Sequence, residues 1–103
     1  MNIIIFVTAA NKKEADTIAS VLVKERLAAC VNIIVNVRSL FHWQGKVNNA
    51  KESLLIIKTR KTLLNKLIKK VKSIHSYEVP EIIALPIIGG DKKYLRWINE
   101  CTI

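Results

Sequence analysis

The sequence predicts an α+β fold of ferredoxin-like type, a βαββαβ sandwich with an extra C-terminal helix. Three observations lead there: four runs have the composition or period of strands, two intervening segments have the 3.6-residue rhythm of amphipathic helices, and they alternate as β-α-β-β-α-β. At 103 residues the chain is long enough for one domain, 1–103, and too short for two, so all elements share one core.

Asn2 to Thr8 is a β-rich apolar run. Asn11 and Glu14 have capping-box spacing, which predicts a helix starting there, and Ala15, Ile18, Ala19, Leu22 and Val23 carry its apolar stripe to about Leu27. From Cys30 to Trp43, Val31, Ile33, Val35 and Val37 alternate with Asn32, Asn36 and Arg38, the period of a strand. Gln44-Gly45 can turn it back, and the return strand ends in Glu52 to Thr59, with a bulge expected at Asn48-Asn49-Ala50. Leu63, Leu64, Leu67, Ile68 and Val71 restore the helical period. Ile82 to Ile88 is the fourth strand, and Pro86 places it at a sheet edge because proline has no N–H for a ladder. Asp91 can cap a last helix containing Leu95 and Ile98, with Tyr94 and Trp97 as core anchors.

Right-handed crossovers place both main helices on one face of such a sheet. Ile3 to Val7, Leu54 to Ile57 and Ile82 to Ile88 are nevertheless apolar on consecutive residues, so both faces call for burial, and another subunit is the simplest cover. Hairpin arms of some fourteen residues at about 3.3 Å each span roughly 45 Å, against a radius of gyration near 13 Å for a domain of this size. The tip, with Phe41 and Trp43, must project, and closed symmetry would receive it. Phe41 and Trp43 are therefore the candidate interface between subunits.

Half of the residues are hydrophobic although the formal net charge is +9, so core and solvated faces segregate sharply. The Lys residues are dispersed, which favours solubility over a specific nucleic-acid site. Cys30 and Cys101 lie far apart without a CxxC, so free thiols in a reducing compartment are expected. The N-terminal run lacks a basic flank and no segment reaches the length of a membrane span, which makes a soluble cytoplasmic protein the expectation.

Leu27-Ala-Ala-Cys-Val-Asn32, Trp43-x-Gly45, Glu52 to Thr59, His75-x-Tyr-x-x-Pro-Glu81 and Tyr94-Leu-x-Trp-Ile98 together resemble the CutA family over nearly the whole chain. The resemblance implies a ferredoxin-like subunit in a cytoplasmic homotrimer built through long strands. It also implies a role in tolerance of copper and other divalent cations, with likeness to the nitrogen-signalling PII proteins.

His75 is the metal candidate, in a loop with Tyr77, Glu78 and Glu81, since imidazole suits copper or zinc; the alternative is a histidine bonded to backbone. Some bacterial relatives carry a further cysteine and histidine at positions that resemble Val7 and Ile74 here. Cys30 is a soft ligand in principle, though its place after Ala28-Ala29 suits a packed thiol. The resemblance also suggests that Glu52, Lys58, Tyr77 and Glu78 converge in a cleft between subunits, for a small polar ligand or as an ion-pair network.

No Ser/His/Asp arrangement, phosphate-binding glycine loop or catalytic carboxylate pair is present, so the reading is a binding or signalling module with no required cofactor, not an enzyme. Two other classes share the fold pattern. An acylphosphatase-type enzyme needs a glycine and arginine loop where Thr8-Ala-Ala-Asn11 stands, and an RNA-recognition module needs aromatics that Glu52 to Thr59 lacks.

Overall fold

A computed structural model describes residues 1–103. The elements are β1 (Asn2–Ala9), α1 (Lys12–Lys24), β2 (Cys30–Trp43), β3 (Lys46–Arg60), a 3-10 turn (Lys61–Leu63) leading into α2 (Leu64–Ile74), β4 (Ile82–Pro86) and α3 (Lys92–Cys101). The sheet order is β2-β3-β1-β4 with all neighbours antiparallel, the ferredoxin-like arrangement expected of βαββαβ.

Strand parity sorts the core. Ile3, Ile5 and Val7 on β1 pair with Thr59, Ile57 and Leu55 on β3 and face the helices. Ile18 and Leu22 of α1, with Leu67 and Val71 of α2, close over them in one buried cluster. Each such side chain contributes about 1.5–3 kcal/mol on burial.

Asn11 caps α1, its side chain accepting from the Glu14 N–H at 2.8 Å. The helix stops at Lys24, three residues short of the sequence reading, through a Schellman closure that its sequence does not advertise. The Leu27 N–H reaches the Leu22 carbonyl and the Arg26 N–H the Val23 carbonyl, with Arg26 in the left-handed region at φ 58°. Glycine normally fills that position, so the usual stop signal was missing.

The long hairpin is present, with arms of 14 and 15 residues joined through Gln44 (φ 51°) and Gly45 (φ 75°). Positive φ at both turn residues matches the twist of the strands. The molecule is accordingly elongated, 44 × 25 × 22 Å.

The bulge lies on β2 and not at Asn48–Ala50. The register steps from Ile34↔Leu54 to Val37↔Glu52, and Asn36 takes φ 61°. Asn48 and Asn49 pair in register with Phe41 and Leu40. The consequence is a change of parity. Ile33 faces the helices, but beyond the bulge Phe41 and Trp43 stand on the opposite face, alongside Glu52.

β4 is an edge strand, as Pro86 required, and ends at Pro86 instead of Ile88; the Ile87 N–H bonds to the Asn2 carbonyl beyond the ladder. The face away from α1 and α2 is covered at one end by α3, which Asp91 caps at the Tyr94 N–H. Leu95 and the fully buried Ile98 turn inward, and Asn2 and Arg60 bond to Leu95 and Thr102. Tyr94 and Trp97 are not core anchors: they flank the inward stripe, 5.4 Å apart, and remain exposed. The rest of that sheet face is open, with Ile34, Ile83 and Leu85 about half exposed.

Candidate functional site

The distal hairpin and the loop between α2 and β4 face each other across a cleft of about 780 Å³. Its hairpin wall exists because of the bulge, which brings Phe41 and Trp43 onto the face that carries Glu52.

The opposite wall is pinned by polar contacts. The His75 ring is buried; Nε2 lies 2.7 Å from the Thr8 carbonyl and Nδ1 accepts the Tyr77 backbone N–H at 3.0 Å. A carbonyl only accepts and an amide N–H only donates, so the ring is the neutral Nε2–H tautomer with both nitrogens engaged. Glu14 adds a second tie. One carboxylate oxygen accepts from the Ala10 N–H at 2.9 Å and the other from the Ser76 N–H at 2.8 Å, joining the start of α1 to the loop. Burial works to raise the Glu14 pKa, but the hydrogen bonds from Ala10 and Ser76 outweigh it and hold the carboxyl below its ordinary value.

With the loop so held, the Tyr77 hydroxyl donates to Glu52 Oε2 at 2.7 Å, bridging the two walls. Burial, then the hydrogen bond to Glu52 and its charge, push the Tyr77 phenol up to about 12. Glu52 is only 8% exposed.

The structure therefore brings Glu52, Tyr77 and Glu78 together, and adds Phe41 and Trp43 to the same cleft. Lys58 lies elsewhere: six residues along β3, roughly 20 Å away, it bonds to Asn32. His75 stands behind the wall, not on it. No three His, Cys, Asp or Glu side chains are grouped so as to hold a metal ion. A cation at His75 would have to displace one of its two hydrogen bonds. The Cys30 thiol is partly buried, 3.9 Å from Asn32 Oδ1. His42 is exposed on the hairpin, paired with Val47 on the face away from the cleft.

Thr8, Ser39, Asn48 and Asn49 also line the cleft and escaped the sequence reading. The available signal was the pair of asparagines inside a strand, which suits a polar wall as well as a bulge. In the loop after β1, the Ala10 N–H is bonded to Glu14, so that amide is not open to an anion. No helix is long and apolar enough to cross a membrane.

The comparisons with known proteins agree with this architecture. A family described as "CutA1 divalent ion tolerance protein" matches residues 3–101. The chain is 48% identical over 101 residues to a rice (Oryza sativa subsp. japonica) protein, "Protein CutA 1, chloroplastic", covering 98% of this chain and 57% of that protein. It thus spans little more than half of that relative. The solved structure of the divalent cation tolerance protein (Cut A1) from Thermus thermophilus is 46% identical, with a TM-score of 0.97 and 99% of each chain covered. A structure from Archaeoglobus fulgidus, described as a periplasmic divalent cation tolerance protein CutA, is 42% identical at a TM-score of 0.96, covering 98% of both chains.

Proposed function

We propose, from the premise that this chain belongs to the CutA1 divalent ion tolerance family, that it serves divalent-cation tolerance as a homotrimeric binding or signalling module, without catalysis. The observation that carries this reading is the match across residues 3–101, on a fold shared with divalent cation tolerance proteins. Copper is the cation to test first, and the cytoplasm is the compartment that suits two free cysteines.

The surface supports the assembly part of this reading. Phe41 and Trp43 on the hairpin, with Ile34, Ile83 and Leu85 on the open sheet face, leave more apolar side chains in water than a small monomer usually carries. Closed threefold symmetry would bury them without leaving a free edge. Binding of copper or zinc by His75 is expected to be modest, because both ring nitrogens already hold partners and no cluster of ligands surrounds them.

The test is complementation. A host strain lacking its own relative, grown at rising copper or zinc, should regain tolerance with this chain and lose it again with Trp43→Asp. Equal sensitivity with and without the chain overturns the reading. Light scattering should report about three times the 11.7 kDa subunit mass, and a well-folded monomer at micromolar concentration overturns the trimer.

A further inference from the structure

We infer that the outward face of α2 is an interaction surface for the phosphate backbone of a double-helical nucleic acid, held without regard to base sequence. The inference goes beyond the tolerance reading and does not depend on it.

Charge placement is the first observation. Along the chain the lysines are dispersed, but no Asp or Glu occurs between Ser53 and Tyr77, a stretch that holds the 3-10 turn and the whole of α2. Leu67 and Val71 turn to the core, which puts Lys66, Lys69 and Lys72 on the opposite side of the helix. These three are exposed and follow one another at three-residue steps, about 4.5 Å of rise each. Lys61, also exposed, extends the row at the start of the helix.

The second, independent observation is that the row has no partner within the chain. Elsewhere in the helix layer Lys12 pairs with Asp16 and Lys70 with Glu25, each at 3.1 Å, whereas Lys61, Lys66, Lys69 and Lys72 join no ion pair. Like charges three and four residues apart repel along a helix. No acidic residue stands in the first turn of α2 and no side chain caps it, so the positive end of the helix dipole adds to the same field. A row of this kind finds its complement in a line of negative charge outside the chain.

The rest of the face selects the polyanion. The other exposed side chains of α2 are Asn65 and Ser73, with neither an aromatic ring nor an exposed apolar group among them. Unstacked bases of a single strand need aromatic platforms, and a lipid surface takes apolar side chains to anchor a helix. A duplex keeps its bases inside and presents about one charge per 1.7 Å of axis, which lysines meet as point charges without reading sequence. The face lies across the sheet from the open surface with Ile34, Ile83 and Leu85, and none of its residues lines the hairpin cleft. The assembly proposed above therefore leaves it in water.

Fluorescence anisotropy of a labelled DNA duplex, titrated with the full chain, tests the inference. A row that neutralises three or four phosphates should lose roughly 40- to 150-fold in affinity between about 50 and 200 mM salt. Lys66→Gln, Lys69→Gln and Lys72→Gln together should weaken binding at least tenfold at low salt and flatten the salt dependence. The same variant should unfold at an equal or higher urea concentration, because repulsion within α2 is relieved. If it fails to fold, Lys69→Gln alone should still weaken binding about twofold or more. Lys46→Gln, Lys92→Gln and Lys93→Gln together remove the same charge elsewhere and should change affinity by less than about threefold. Equal losses in the two triple variants would assign the binding to net charge alone and overturn the proposal. So would a parent that does not bind the duplex, an α2 variant that binds it unchanged, or tighter binding of a single strand, polyglutamate or phosphatidylserine vesicles than of the duplex.

Discussion

The Tyr77 hydroxyl sits 2.7 Å from Glu52 Oε2 and joins the α2–β4 loop to the distal half of the β2–β3 hairpin. Removing either partner should loosen one wall of the cleft from the other. Tyr77→Phe is expected to cost about 1–2 kcal/mol, since it leaves a buried carboxylate short of a donor, as read by urea unfolding.

The same contact sets an alkaline limit. The phenol is ordinarily half ionised near pH 10 and is raised to about 12 here, so the folded state holds the proton more tightly than the unfolded state. The stability it contributes is therefore complete below pH 10 and is lost as pH rises towards 12. Ultraviolet titration should show one tyrosine ionising near pH 12 in the parent and earlier in Glu52→Gln; an unshifted Tyr77 in both would contradict the structure.

At the acid end, Glu14 behaves with the opposite sign. Its carboxyl is held below its ordinary value by the hydrogen bonds from Ala10 and Ser76 that outweigh burial. Its contribution is present above the unfolded pKa of about 4.5 and lost as pH falls through the lowered folded value. Glu14→Ala should cost about 1–3 kcal/mol at pH 7, because two backbone donors and the α1 start lose their acceptor. The difference between parent and variant should shrink below pH 4, and a constant difference would sink the assignment.

The β2 bulge makes a separable prediction. Asn36 at φ 61° tolerates Gly, whereas Asn36→Val should destabilise by about 1–2 kcal/mol because a β-branched residue is poorly accommodated in the left-handed region. Deleting Asn36 removes the parity change and turns Phe41 and Trp43 to the other side of the hairpin. Oligomeric mass by light scattering should then fall, as it should with Trp43→Asp. A deletion variant that assembles like the parent would separate the bulge from assembly.

Arg26 occupies a left-handed helix terminus where glycine carries no Cβ penalty. Arg26→Gly should stabilise the chain by about 0.5–1 kcal/mol in thermal or urea unfolding, while Arg26→Ile should destabilise it.

Much of this molecule could be read from local pattern. The helical stripes through Ile18 and Leu22 and through Leu67 and Val71, the apolar runs of β1 and β3, the caps at Asn11 and Asp91, and the edge position signalled by Pro86 depend on residues a few places apart. Their order sufficed for the sheet topology, because crossover handedness leaves few alternatives. The hairpin's length was legible too, from the distance between Cys30 and Thr59.

Other features depended on contacts between distant segments. The bulge sits at Val35-Asn36, where an alternating sequence hides it, and not at the asparagine pair that stood out, which instead lines the cleft. Only the register of β2 on β3 decides which face receives Phe41 and Trp43. Only the fold brings Thr8 to His75 and Glu14 to Ser76, 67 and 62 residues apart, so that the ring became a tether behind the cleft. Composition and periodicity determined the elements and their order; tertiary structure decided the faces, because a one-residue shift in an antiparallel strand reverses every side chain beyond it.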